Sequence, residues 1–195
     1  MFAGTMPVMA QDRLPPIPLE KQTPEQRKAS EAFRANRKQD VFGPFVPLLR
    51  SPEVMLRAMA LGDYLRFRTV FPTRLNELII LITARHFTQQ YEWAFHYPIA
   101  VKEGLNRDII DAIADGRRPA DMPADEQLIH DFCTELLRNN SVSDATYARA
   151  VARFGEQGMM EMVGVVAYYT FQSMVLNTAR TPVVPGAPAL KPFPQ

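Results

Sequence analysis

A chain of 195 residues has room for one domain carrying ordered arms. Hydrophobic residues at 47% and charged residues at 22% are a globular balance and exclude wholesale disorder. Twenty-two Lys and Arg against 21 Asp and Glu leave a net charge of +1, which excludes the electrostatic footprint of a nucleic-acid binder or of a protein drawn to anionic membranes. A single cysteine, Cys133, excludes an internal disulfide and any Cys-X-X-Cys pair, and with three histidines any metal site must lean on carboxylates.

The first ten residues are apolar, and Val8-Met9-Ala10 looks like the tail of a signal-peptidase site. They lack a basic region and are too short for a complete export signal. The reading is therefore a flexible N-terminus on a cytoplasmic protein, with a periplasmic or secreted location as the alternative if residues 1–10 are the stub of a longer signal. Prolines 15, 16 and 18 make residues 1–22 an extended arm. Thr23-Pro24-Glu25-Gln26 is an N-cap, a proline in the first turn and a capping-box glutamine, opening a polar helix to about Gln39. Gly43-Pro44 breaks the chain, and Ser51-Pro52 starts a second helix by the same N-cap and proline device.

Further helices are expected at about 74–88, 90–103, 106–116 and 126–138. Gly104 stops the second of these and Asn106 caps the third. Ser143 caps a helix to Phe154, and Gly158 precedes a final apolar helix to about Arg180, expected to be the buried centre of the bundle. Its most apolar part is interrupted by Glu161, Gln172 and Ser173, so it does not read as a membrane span. The Pro-rich tail, 181–195, carries Val183, Val184, Leu190 and Phe193 and is expected either to wrap a neighbouring subunit or to stay disordered. No stretch alternates as strands do, so the fold class is all-α: an antiparallel bundle in one domain, 23–180, between two Pro-rich arms.

Phosphate loops, nucleophile elbows and His-Glu-X-X-His pairs are absent. The residues that can carry chemistry concentrate in one patch: Glu77 on one helix and Tyr91-Glu92-Trp93-Ala94-Phe95-His96-Tyr97 on the next. Glu92 and His96, four apart, share a helical face. Glu77 and His96 sit at heights differing by about 4–5 Å on helices joined by a short turn, close enough to meet. A carboxylate beside an imidazole fixes its tautomer and raises its pKa, a standard way to build a proton-transfer group. Pro98 falls inside the same helix and kinks it beside His96. Glu77, Glu92 and His96 also form a possible open divalent metal site, but the spacing is no recognised metal signature, and the expectation is no metal.

The stretches Thr73-Arg74-Leu75-Asn76-Glu77-Leu78, Tyr91 to His96, Ala100 to Leu105 and Ile109 to Ile113 resemble the carboxymuconolactone decarboxylase-like proteins, whose fold is shared with alkylhydroperoxidase D. The likeness spans about residues 50–180. Peroxidase members carry Glu, then Cys-X-X-Cys, then a His four positions beyond the second Cys. Aligned on the histidine, His96 and Glu77 match, but the cysteine positions fall on Gln89 and Glu92, which argues against a disulfide-cycling peroxidase. The resemblance implies an all-helical homo-oligomer (dimer, trimer or hexamer) with a small-molecule pocket around the Glu–His pair. It also implies a cofactor-independent lyase in which His96 donates the proton, Glu77 orients it and Glu92 is a second acid/base group. Arg74 and Arg85 are the candidate carboxylate clamps and Trp93 a candidate substrate contact. A non-catalytic binder or assembly module on the same scaffold is the alternative. His86 and His130 read as ordinary boundary residues, and Cys133 as a small buried hydrophobe.

Overall fold

The structure, a computed structural model, describes residues 11–183 and 188–192. Residues 1–10 and the tail residues Val184, Pro185, Phe193 and Pro194 lie outside the described residues, so the export-signal reading and part of the tail reading are not addressed. Helices follow in the order α1 (Pro24–Arg37), α2 (Phe45–Leu48), α3 (Pro52–Phe67), α4 (Thr73–His86), α5 (Gln90–Lys102), α6 (Arg107–Ala114), α7 (Ala124–Asn139) and α8 (Asp144–Ala179). No strand occurs among the described residues.

The helix starts follow their local chemistry. Thr23 accepts from the Gln26 amide while the Gln26 side chain accepts from the Thr23 amide, a complete capping box. Asn106 caps α6 and Ser143 caps α8. Ser51 departs from expectation: its hydroxyl makes no cap bond, and α3 starts on Pro52 alone. The one-turn α2 was not anticipated; Phe45 and Leu48 bury it, and Phe45 packs on Phe33 at 5.0 Å between ring centroids.

The buried centre is α4, not the last helix. Every residue from Leu75 to Arg85 is buried, and α4 packs against α5, α7 and α8. Such all-round burial is what a core helix shows. The expected central helix, α8, is one-sided instead, with Met160 and Met174 more than half exposed. The helix expected to end at Phe154 does end there: α8 is two helical segments joined at Gly155 (φ 71°, ψ 172°), a backbone state open essentially to glycine. Gly158, expected to lie between helices, is buried within α8.

The described parts of both arms lie against their own chain. The Arg13 amide donates to the Ala179 carbonyl at 2.8 Å, closing the N-terminal arm on the end of α8. In the tail, Leu190 is 3% exposed and exchanges two 2.8 Å bonds with the Gln90 side chain. This described part of the tail therefore lies against its own α5 rather than reaching outward. No helix among the described residues is long and apolar enough to cross a membrane.

Candidate active site

The connector Phe87 to Gln89 turns the chain between α4 and α5. Gln89 fixes the entry to α5, its side-chain oxygen accepting from the amides of Tyr91 and Glu92 while its nitrogen donates to Asn177 on α8 at 3.0 Å. One of the two positions matching the family's cysteines thus holds an N-cap, and the other holds Glu92. Folding back across this turn brings Glu77 of α4 against His96 of α5. His96 Nδ1 donates to Glu77 Oε2 at 2.6 Å, and its Nε2 lies 3.4 Å from Glu92 Oε2. All three side chains are buried, at 2–4% exposure.

An imidazole between two buried carboxylates is pulled two ways. Burial disfavours its charged form, but the charge and hydrogen bond of Glu77, joined by Glu92, outweigh that, and the His96 pKa lies above its ordinary 6.5. Tyr169 stands edge-on to the ring at 5.1 Å, and burial holds its phenol well above the ordinary range. Pro98 lies inside α5, so the Ala94 carbonyl, one turn earlier and beside His96, has no helical donor.

His96 and Glu92 face a cavity of about 30 Å³ walled by Phe42, Tyr91, Phe95, Tyr168 and Tyr169. It shares Arg37, Phe42, Arg66 and Phe95 with an adjoining surface groove of about 690 Å³. Three lining residues keep a buried polar atom without a hydrogen-bond partner: Nε of Arg37, Nε of Arg66 and Oε1 of Gln172. Arg37 also pairs with Asp63 at 2.6 Å. The Arg66 guanidinium instead lies over the rings of Phe67 and Phe95, at 4.9 and 5.6 Å from their centroids. It is a cation without a carboxylate among the described residues, standing where groove and inner cavity meet.

The other expected substrate contacts are elsewhere. Arg74 is tied to the buried Glu126 of α7 and serves the α4–α7 contact, so it is no clamp at this cavity. Arg85 donates to the Lys191 carbonyl at 2.8 Å and lines a separate cavity among α4, α6 and α7. Trp93 is 2% exposed and packs near Tyr97, off the cavity wall. Arg37 and Arg66 escaped the sequence reading because α1 and α3 meet α5 only in the folded chain. Glu77 and Glu92 approach opposite nitrogens of one ring, and among the described residues no group of three or more His, Cys, Asp or Glu is placed to hold an ion. Cys133 is fully buried on α7, and burial pushes its thiol up, opposite to what a nucleophilic cysteine needs.

No family model matches the chain, and no curated protein matches it by sequence. Solved structures do. An alkylhydroperoxidase AhpD core, an uncharacterized peroxidase-related protein from Ralstonia eutropha JMP134, superposes with a TM-score of 0.71 at 16% identity, covering 89% of this chain and 92% of the other. A cysteine-to-alanine variant of the debrominase Bmp8, in complex with 2,3,4-tribromopyrrole, superposes at 0.69 with 12% identity, covering 91% and 94%. At such identities the likeness is one of fold. The chain has the alkylhydroperoxidase D-like fold, as the sequence resemblance implied.

Proposed function

We propose that this alkylhydroperoxidase D-fold chain is a cofactor-independent acid/base enzyme acting on a small lactone or carboxylic acid. The observation that carries the reading is the buried Glu77–His96–Glu92 array facing a cavity whose rim holds the carboxylate-free cation Arg66. The substrate carboxylate binds at Arg66 and Arg37, since a guanidinium fork matches it bidentately. In a decarboxylation the bond to the carboxylate carbon breaks, carbon dioxide leaves, and the electron pair remains on the adjacent carbon, spread into a conjugated carbonyl. The imidazolium of His96 then delivers its proton to that carbon. Glu77 holds the ring, and Glu92 takes a proton from solvent water and passes it to the neutral imidazole, replacing the one consumed. A cavity of about 30 Å³ takes a water-sized group and no whole substrate, so the body of the molecule lies in the larger groove and the wall of Phe42 and Phe95 moves to admit its reacting end.

Carbon dioxide release across a panel of lactone and β-keto acids tests the reading. His96→Ala is expected to abolish turnover while ligand affinity stays within about tenfold, roughly 1.4 kcal/mol. Equal loss of both, or no turnover on the whole panel, moves the assignment to a binding protein on this scaffold. The debrominase likeness keeps halogenated ring substrates worth including in the panel, although that protein's activity is its own. Disulfide-cycling peroxidase chemistry is disfavoured by Gln89 and Glu92 at the matching positions and by the buried state of Cys133.

A further inference from the structure

The ends of α4, α6 and α7 enclose a second cavity of about 240 Å³, and none of the residues lining the His96 cavity line it. Its walls carry four arginines, Arg85, Arg117, Arg118 and Arg138, together with His86 and His130. The carboxylates that reach this cluster are few. Asp115 pairs with Arg117 at 3.1 Å, and Asp131 is shared between Arg118 and Arg149. Arg138 has no carboxylate partner among the described residues. Before Arg85 is counted, therefore, three wall arginines answer to Asp115 and to an Asp131 that Arg149, off the wall, also claims.

The two histidines do not add to the charge but report it. Burial lowers the pKa of both, and Arg138 beside His86 and Arg118 beside His130 lower it further. The remaining wall is apolar, formed by Ile82, Ile113 and Leu137. Surface arginines are common, but a solvated face spreads its cations outward. Here they ring a concavity with an apolar floor, which is the composition of a small-molecule pocket: an apolar body held in orientation by a few charged groups.

We propose that this cavity is a binding site for a small organic dianion, a phosphate monoester on a compact apolar body, separate from the His96 cavity. Guanidinium groups take phosphate oxygens in paired, charge-assisted bonds, and several arginines around one concavity can share the oxygens of a doubly charged phosphate. The neutral imidazoles of His86 and His130 supply further hydrogen-bonding nitrogens, and the apolar wall accepts a ring of about six carbons.

Titration calorimetry on the full chain tests this with phenyl phosphate, benzoate and benzyl alcohol as probes. Phenyl phosphate is expected to bind, benzoate at least about threefold more weakly, and benzyl alcohol not measurably. Arg138→Ala and Arg117→Ala, both exposed side chains whose removal leaves the core intact, are each expected to weaken phenyl phosphate by about tenfold, the scale of one charge-assisted bond. His96→Ala is expected to leave that affinity unchanged, which separates this site from the proposed active site. Three results overturn the proposal: no heat with phenyl phosphate, affinity indifferent to both arginine substitutions, or affinity lost in His96→Ala. A fourth does so in favour of a protein interface, namely no phenyl phosphate binding together with an Arg138→Ala change in subunit number by light scattering.

Discussion

At the residue scale the proposed chemistry depends on unequal grips on one ring. Glu77 holds His96 at 2.6 Å and Glu92 approaches it at 3.4 Å, so removing the first charge should move the ring's titration more than removing the second. Glu77→Gln keeps shape and volume but deletes that charge, and the raised His96 pKa is expected to fall toward or below its ordinary 6.5. An NMR titration of the His96 ring reads this without any substrate. Glu92→Gln should shift it in the same direction by less. If Glu77→Gln leaves the titration where it was, Glu77 does not set the protonation of His96. With a substrate in hand, Glu77→Gln is expected to lower kcat by about a hundredfold or more, the usual scale for a disabled proton donor. The alkaline limb of its pH–rate profile should move to lower pH. Arg66→Gln should instead raise KM with a smaller change in kcat, because it deletes the cation that faces the groove. Equal loss in both parameters would place Arg66 in the chemical step rather than in binding.

Two glycines position the elements that wall the cavity. Gly155 breaks α8 in a conformation that an L side chain resists, so Gly155→Ala should destabilise the protein by about 1–3 kcal/mol, measured by urea unfolding. Gly62 lies buried in α3, where a Cβ would run into the phenol of Tyr168. Tyr168 lines the His96 cavity and accepts from Gln172 at 2.6 Å, so Gly62→Ala is expected to cost about 1–3 kcal/mol through overpacking and to change the near-ultraviolet dichroism. Unchanged stability in Gly62→Ala would mean that α3 and α8 slide apart freely, against the tight contact at this point. The same elements show what a sequence can and cannot disclose. Thr23, Asn106, Ser143 and Gly104 mark helix ends because capping is local, and the Glu77–His96 meeting followed from two helices and a short turn. The burial of α4 rather than α8 and the docking of Leu190 on α5 are decided by packing between distant segments. Arg66 and Arg37 belong with these: nothing near them in sequence names His96 as a neighbour, whereas Arg74, close in sequence to Glu77, turned out to serve Glu126.

Across the whole molecule the buried titratable groups pull the pH dependence of stability in opposite directions. A folded pKa raised above 6.5, as for His96, contributes stability that is complete below about pH 6.5 and is lost as pH rises through the raised value. His130, its pKa lowered by burial and by Arg118, contributes above 6.5 and loses that contribution as pH falls through its lowered value. The exposed His86 acts in the same sense, discounted for screening by solvent. Lower still, Glu161 enters. Burial opposes its charge, but bonds from Gln157, Tyr64 and the Val70 amide prevail and hold it below 4.5. Its stabilisation is therefore present above pH 4.5 and lost on further acidification. Stability is thus expected to peak near pH 6.5, fall gently on both sides, and fall steeply below about 4.5 as Glu161 and the other carboxylates protonate. Urea midpoints from about pH 4 to about pH 9 measure the curve, and two variants divide it. His96→Gln should flatten the alkaline side, and His130→Asn the acid side between about 6.5 and 5. A wild-type curve that rises to about pH 6.5 and then stays flat to about pH 9, with no alkaline fall for His96→Gln to remove, would mean that desolvation beats both carboxylates at His96. The ring would then be neutral in the resting protein and unable to start as the proton donor, so the same measurement that maps stability also tests the direction of the proposed proton transfer.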